Sequence, residues 1–63
     1  MIIRIDYSNA DGTRAAQVLR RDDGNPLGVR WDVVLLTGHI QEEPLILCRR
    51  LTQAQAEARE WTR

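Results

Sequence analysis

Val29-Arg30-Trp31-Asp32-Val33-Val34-Leu35-Leu36-Thr37 decides the fold. Val29, Trp31, Val33 and Leu35 recur at a period of two with Arg30 and Asp32 between them, the pattern of a strand with one face in water. Val34 and Leu36 then make the second half apolar on both faces. A strand that begins one-sided and becomes two-sided belongs in the middle of a sheet, its second half covered twice or joined to a partner. The remaining residues have to supply its neighbours.

Upstream, residues 22–28 (Asp-Asp-Gly-Asn-Pro-Leu-Gly) concentrate the residue types that stop helices and strands, and predict a loop. Residues 13–21 carry two periods at once. Ala15, Val18 and Leu19 sit at helical spacing among good helix formers, whereas Ala16 and Val18 facing in with Gln17 facing out is a strand. The preceding Asn9-Ala10-Asp11-Gly12 favours the strand: Gly12 can take positive φ and Asp11 can bond nearby backbone, so a hairpin is expected back to residues 2–8. There Ile3, Ile5 and Tyr7 alternate with Arg4 and Asp6.

Downstream, residues 38–44 make a second break, and residues 45–50 read as a fourth strand with Pro44 ahead of it, where a missing amide donor does little harm. Thr52 and Gln55 have the spacing of a capping box, with Leu51 and Ala56 placed as a staple, so a helix is expected from Gln53. Its stripe is Ala54, Ala58 and Trp61, small residues that allow close approach and one large one. The predicted fold is a small α+β domain over residues 1–63: an antiparallel meander of three to four strands with a C-terminal helix packed on one face.

Sixty-three residues bury a thin core. The lone cysteine, Cys48, rules out an internal disulfide, which fits a reducing, cytoplasmic setting. The first six residues reach a charge at Arg4 without a long apolar run, so neither a signal peptide nor a spanning helix is expected, and no membrane partner. Nine arginines cancel nine carboxylates, so any electrostatic function must come from local clustering. The absence of lysine fits a GC-rich genome.

A meander brings such clusters about. Strands two and four end at the same end of the sheet, which gathers Arg20, Arg21, Arg49 and Arg50; the opposite end carries Asp11, Glu42 and Glu43, and the returning helix adds Glu57 and Glu60. Asp22 and Asp23 dilute the arginines, so the acidic end is expected to be the cleaner, uninterrupted patch. Charges at strand ends also serve simply to keep edges from pairing.

Catalytic chemistry finds little support. His39 and Cys48 would have to form any nucleophilic pair, and a buried structural cysteine fits Cys48 better. One His and one Cys fall short of a metal site, Glu42-Glu43 are adjacent residues that point apart, and no glycine-rich phosphate loop is present, so no catalytic residue, metal or cofactor is expected. Nucleic acid could be held on the four arginines, with Trp31 or Tyr7 stacking a base on an exposed sheet face, but the net charge is zero and Trp31 fits better as core.

A solitary short domain, charge-polarised and without catalytic residues, resembles the phage-encoded anti-CRISPR proteins. They share no motif, so no residue carries across by position; the resemblance implies a non-enzymatic inhibitor whose partner is a protein such as a CRISPR effector subunit, and the charge map offers Asp11, Glu42, Glu43, Glu57 and Glu60 as the contact. Residues 51–58 (Leu-Thr-Gln-Ala-Gln-Ala-Glu-Ala) also look like the strand-to-helix junction of many small bacterial domains, which implies fold only. The alternative is a nucleic-acid-binding or regulatory module using Arg20, Arg21, Arg49 and Arg50.

Overall fold

The computed structural model describes residues 3–22 and 28–63, and in it the central alternating stretch is strand β3, Arg30–Thr37. On one side it pairs antiparallel with β2, Arg14–Arg21, in a register that sets Val33 opposite Val18 and Leu35 opposite Ala16. β2 pairs in turn with β1, Arg4–Ser8, placing Ile5 against Val18 and Tyr7 against Ala16. The two-sided pairing excludes a helix over residues 13–21. Ala16 and Val18 are wholly buried, as the strand reading requires.

The β1–β2 turn forms by the expected chemistry. Gly12 has φ of 74°, and Asp11 Oδ1 accepts from the Thr13 amide at 3.0 Å and the Thr13 hydroxyl at 2.7 Å. The second loop lies for the most part outside the described residues, Asp23 to Leu27 among them.

The far side of β3 differs from the expected single strand. Two short segments pair there in succession: β4, Ile40–Gln41, against Leu36 and Thr37, then β5, Ile46–Cys48, against Trp31, Asp32 and Val33. Between them residues 42–45 stand opposite Val34 and Leu35 alone, a bulge of two extra residues that includes Pro44. The break therefore falls inside the fourth strand, and Ile40 and Gln41, expected in a turn, are paired.

Helix α1, Leu51–Trp61, crosses the face formed by Ile5, Tyr7, Ala16, Val18, Trp31, Val33, Leu35, Ile46 and Cys48. Ala54 and Ala58 are wholly buried against it, so the helix backbone approaches the sheet without a layer of large side chains between. Trp61 closes the far end, its indole N–H donating to the Leu36 carbonyl at 3.0 Å while the Arg14 guanidinium lies 4.8 Å from its ring.

The capping box is not formed. The helix starts two residues early, with Arg50 at the N-cap, no side-chain cap, and the Ala54 amide donating to the Arg50 carbonyl. Thr52 lies inside the first turn because Leu51 is drawn into the helix to pack on the core, and Ala56, the other half of the expected staple, is exposed. No helix of the described residues is long and apolar enough to cross a membrane.

The alanine contact gives a direct test. Ala58→Leu should destabilise by about 2 kcal/mol, since the helix has to lift off the sheet, while Ala56→Leu should change stability little. Urea titration of the two variants distinguishes them.

Candidate functional site

Strand parity sorts the charges between two faces. Arg20 stands opposite Trp31 on the helix face, whereas Arg21 stands opposite Arg30 on the face that no described element covers. The arginines at this end therefore form no single patch. Arg49 and Arg50 follow β5 in the bend that leads into the helix; both are exposed, and neither side chain makes a hydrogen bond or ion pair with a described residue.

At the centre of the open face is a residue whose role the period-two reading misses. Asp32, placed by its alternation in water, is only 3% exposed. Its two oxygens accept from two guanidiniums: Arg30 Nε at 2.9 Å on Oδ1 and Arg21 Nε at 3.1 Å on Oδ2. The arginine side chains are 54% and 45% exposed for Arg21 and Arg30, so each is held at its inner nitrogen and turns the rest of its donor fork to solvent. A carboxylate of this kind fixes two cations side by side in the geometry that carboxylates and phosphates recognise.

The surroundings are aliphatic. Leu19 and Leu47 flank Asp32 in register, Leu47 being 58% exposed, and Val34 and Leu36 follow along the same face of β3. Beyond them a shallow concavity of about 290 Å³ is lined chiefly by Asp6, Ser8, Ala15, Gln17 and Leu36. Tyr7 and Trp31, the residues that base stacking would need, belong to the helix face and pack half-buried on the core, the placement that the alternation around Trp31 favours.

The opposite end gathers Asp11, Glu42, Glu43 and Glu60, as the topology requires, but it is not uninterrupted. Arg14 begins β2 there, the last turn of the helix brings Arg59, and Arg63 just beyond the helix bridges Glu60 at 3.0 Å. Glu42 accepts from the Thr37 hydroxyl at 2.8 Å, Glu43 is exposed beside Pro44, and Glu57 is exposed midway along the helix. The acidic residues thus make a corner, Glu42-Glu43, instead of a pole.

Cys48 lies beneath the helix at 1% exposure, and burial, then Glu57 and Asp32, push its thiol above the usual range. His39 is in the turn after β3, at the far end of that strand from Cys48, so the two form no pair. No group of three metal-ligating side chains comes together among the described residues.

Two predictions follow from these local environments. The Thr13 hydroxyl and amide hold the Asp11 carboxyl below its usual value of 3.8. A depressed folded-state value stabilises above the unfolded-state value and is lost as pH falls through the folded-state one, so wild type should weaken between about pH 5 and about pH 3 more than Asp11→Asn does. Comparative melts across that interval check the sign. At the helix start, Arg50 occupies an uncapped N-cap beside Arg49 at the positive end of the helix dipole. Arg50→Asp should therefore raise stability by about 1 kcal/mol, measurable by denaturant unfolding.

Compared with known proteins, the chain matches no family model, no curated protein and no solved structure.

Proposed function

We propose that the protein is a non-enzymatic protein-binding module that works through the open sheet face, taking a partner segment that carries carboxylates beside apolar side chains. The observation that carries this reading is the Arg21–Asp32–Arg30 clamp, set among Leu19, Leu47, Val34 and Leu36. Arginine forks held in place lose little further side-chain freedom when they bind, and exposed Leu47 with half-buried Leu19 and Leu36 supplies apolar area that a salt bridge alone lacks. The uncapped helix start with Arg49 and Arg50 extends the positive field at the same end of the sheet.

A second reading has its own support: the exposed Glu42-Glu43 corner, with Asp11 and Glu60 at the same end of the sheet and Glu57 farther along the helix, presents acidic groups to a basic protein surface. The likeness to anti-CRISPR proteins belongs to this reading, with a CRISPR effector subunit as the partner and the carboxylates standing where nucleic-acid phosphates would sit. Nucleic acid on the arginines is the third possibility; with Tyr7 and Trp31 on the helix face, it would rest on phosphate contacts without stacking.

Capture of a partner from host lysate, followed by titration of variants at two salt concentrations, tests the proposal. Arg21→Glu with Arg30→Glu should weaken binding at least tenfold, and Leu47→Asp should weaken it independently of salt. Loss confined to a Glu42→Arg, Glu43→Arg variant would move the site to the acidic corner. Oligonucleotide binding that falls steeply with salt and needs the arginines would replace the protein partner with nucleic acid.

A further inference from the structure

The sheet has two edges, and they are built differently. The edge formed by β4 and β5 is interrupted by the two-residue bulge and by Pro44, which has no amide hydrogen to offer. The other edge is β1, five regular residues without proline, glycine or bulge, and no described element pairs with its outer side. Its hydrogen-bond parity is fixed by two bonds, Arg20 amide to Ile3 carbonyl and Asn9 amide to Arg14 carbonyl, both 3.0 Å. Odd-numbered residues therefore turn their backbone toward β2. Arg4, Asp6 and Ser8 turn theirs outward.

We infer that this edge is a homodimerisation surface, on which a second copy of the chain pairs antiparallel about a two-fold axis at Ile5. The register follows from the side chains. An axis at Arg4 would oppose Arg4 to its own copy, and an axis at Asp6 would oppose two carboxylates; an axis at Ile5 sets each Arg4 opposite the other chain's Asp6. Arg4 and Asp6 already bridge within one strand at 3.1 Å, both more than half exposed, so pairing exchanges the exposed bridge in each chain for two bridges between the chains.

The same register serves the opposite face. Ile3 comes opposite the second copy's Tyr7, and Ile5 opposite the second copy's Ile5, in the closely spaced pairs that have no ladder hydrogen bonds. Ile3 is 66% exposed, and α1 packs chiefly over β2, β3 and β5, so the β1 side chains on this face lie beside the helix. A second copy would cover them. Charged residues on an edge strand ordinarily discourage pairing. Here they oppose the registers on either side of this one.

Sedimentation velocity of the full chain from micromolar to millimolar concentration should show a monomer passing to a dimer. Asp6→Pro removes an outward amide without touching a β2 bond; it should keep the wild-type circular dichroism and stay monomeric. Arg4→Asp should raise the dissociation constant about tenfold, and the double exchange Arg4→Asp, Asp6→Arg should restore it. Ile5→Cys should form an intermolecular disulfide on oxidation, whereas Ile3→Cys should not, since Ile3 faces Tyr7. A wild type monomeric at millimolar concentration, a dimer indifferent to Asp6→Pro, or a double exchange no better than Arg4→Asp would each overturn the inference. None of these readouts depends on the partner captured through the open face.

Discussion

Close approach of a helix to a sheet, made possible by alanine, is the constraint on which the structure depends. The largest fully buried side chains are Val18, Val33 and Cys48, which together could not fill an interior bounded by a helix at ordinary distance. Ala54 and Ala58 bring the helix in, and Ala16 on the sheet beneath is equally small. Trp31, Tyr7, Leu35, Leu51 and Trp61 then wall the contact from its sides, half-buried. A chain this short cannot build a thick core, so it builds a thin one with few voids and lets its larger side chains face partly outward.

That economy explains why the sheet is left one-sided. A single helix covers one face, and among the described residues the other is made tolerable in water by its own side chains. Asp32 with Arg21 and Arg30 does this in the middle of the face: a carboxylate sheltered by two cations replaces what would otherwise be exposed backbone and aliphatic surface. A sheltered ion cluster is a poor source of stability, because desolvation offsets much of the attraction. Its geometric effect is firmer, since it fixes two long side chains that would otherwise wander.

The architecture was legible where local and long-range signals agreed. The period of β3, the Asp11-Gly12 turn and the alanine stripe each predict the element observed, and the hairpin turn correctly outweighed the helical spacing of Ala15, Val18 and Leu19. Misreadings occurred where tertiary contact overrode local chemistry. Thr52 has the side chain of an N-cap, but packing Leu51 against the core extends the helix past it. Asp32 looks solvated by alternation, and its partners Arg21 and Arg30 are named only once the strand register is known. For the charged ends, topology assigns the strand termini correctly, but it does not reveal that Arg59 in the last helical turn and Arg63 beyond it return to the acidic end, or that the pleat splits Arg20 from Arg21.

Cys48 turns the thin core into something that can be timed. It is the chain's only thiol, it is sealed between β5 and the helix, and it is masked as long as Ala54 and Ala58 stay seated. Reaction with a small thiol reagent therefore has to wait for the helix to lift, so the labelling rate under native conditions counts how often that happens without any denaturant. Set against the rate for global unfolding, it separates a helix that detaches by itself from a domain that opens only as a whole. In so small a protein this distinction decides whether the covered face is ever available to another molecule.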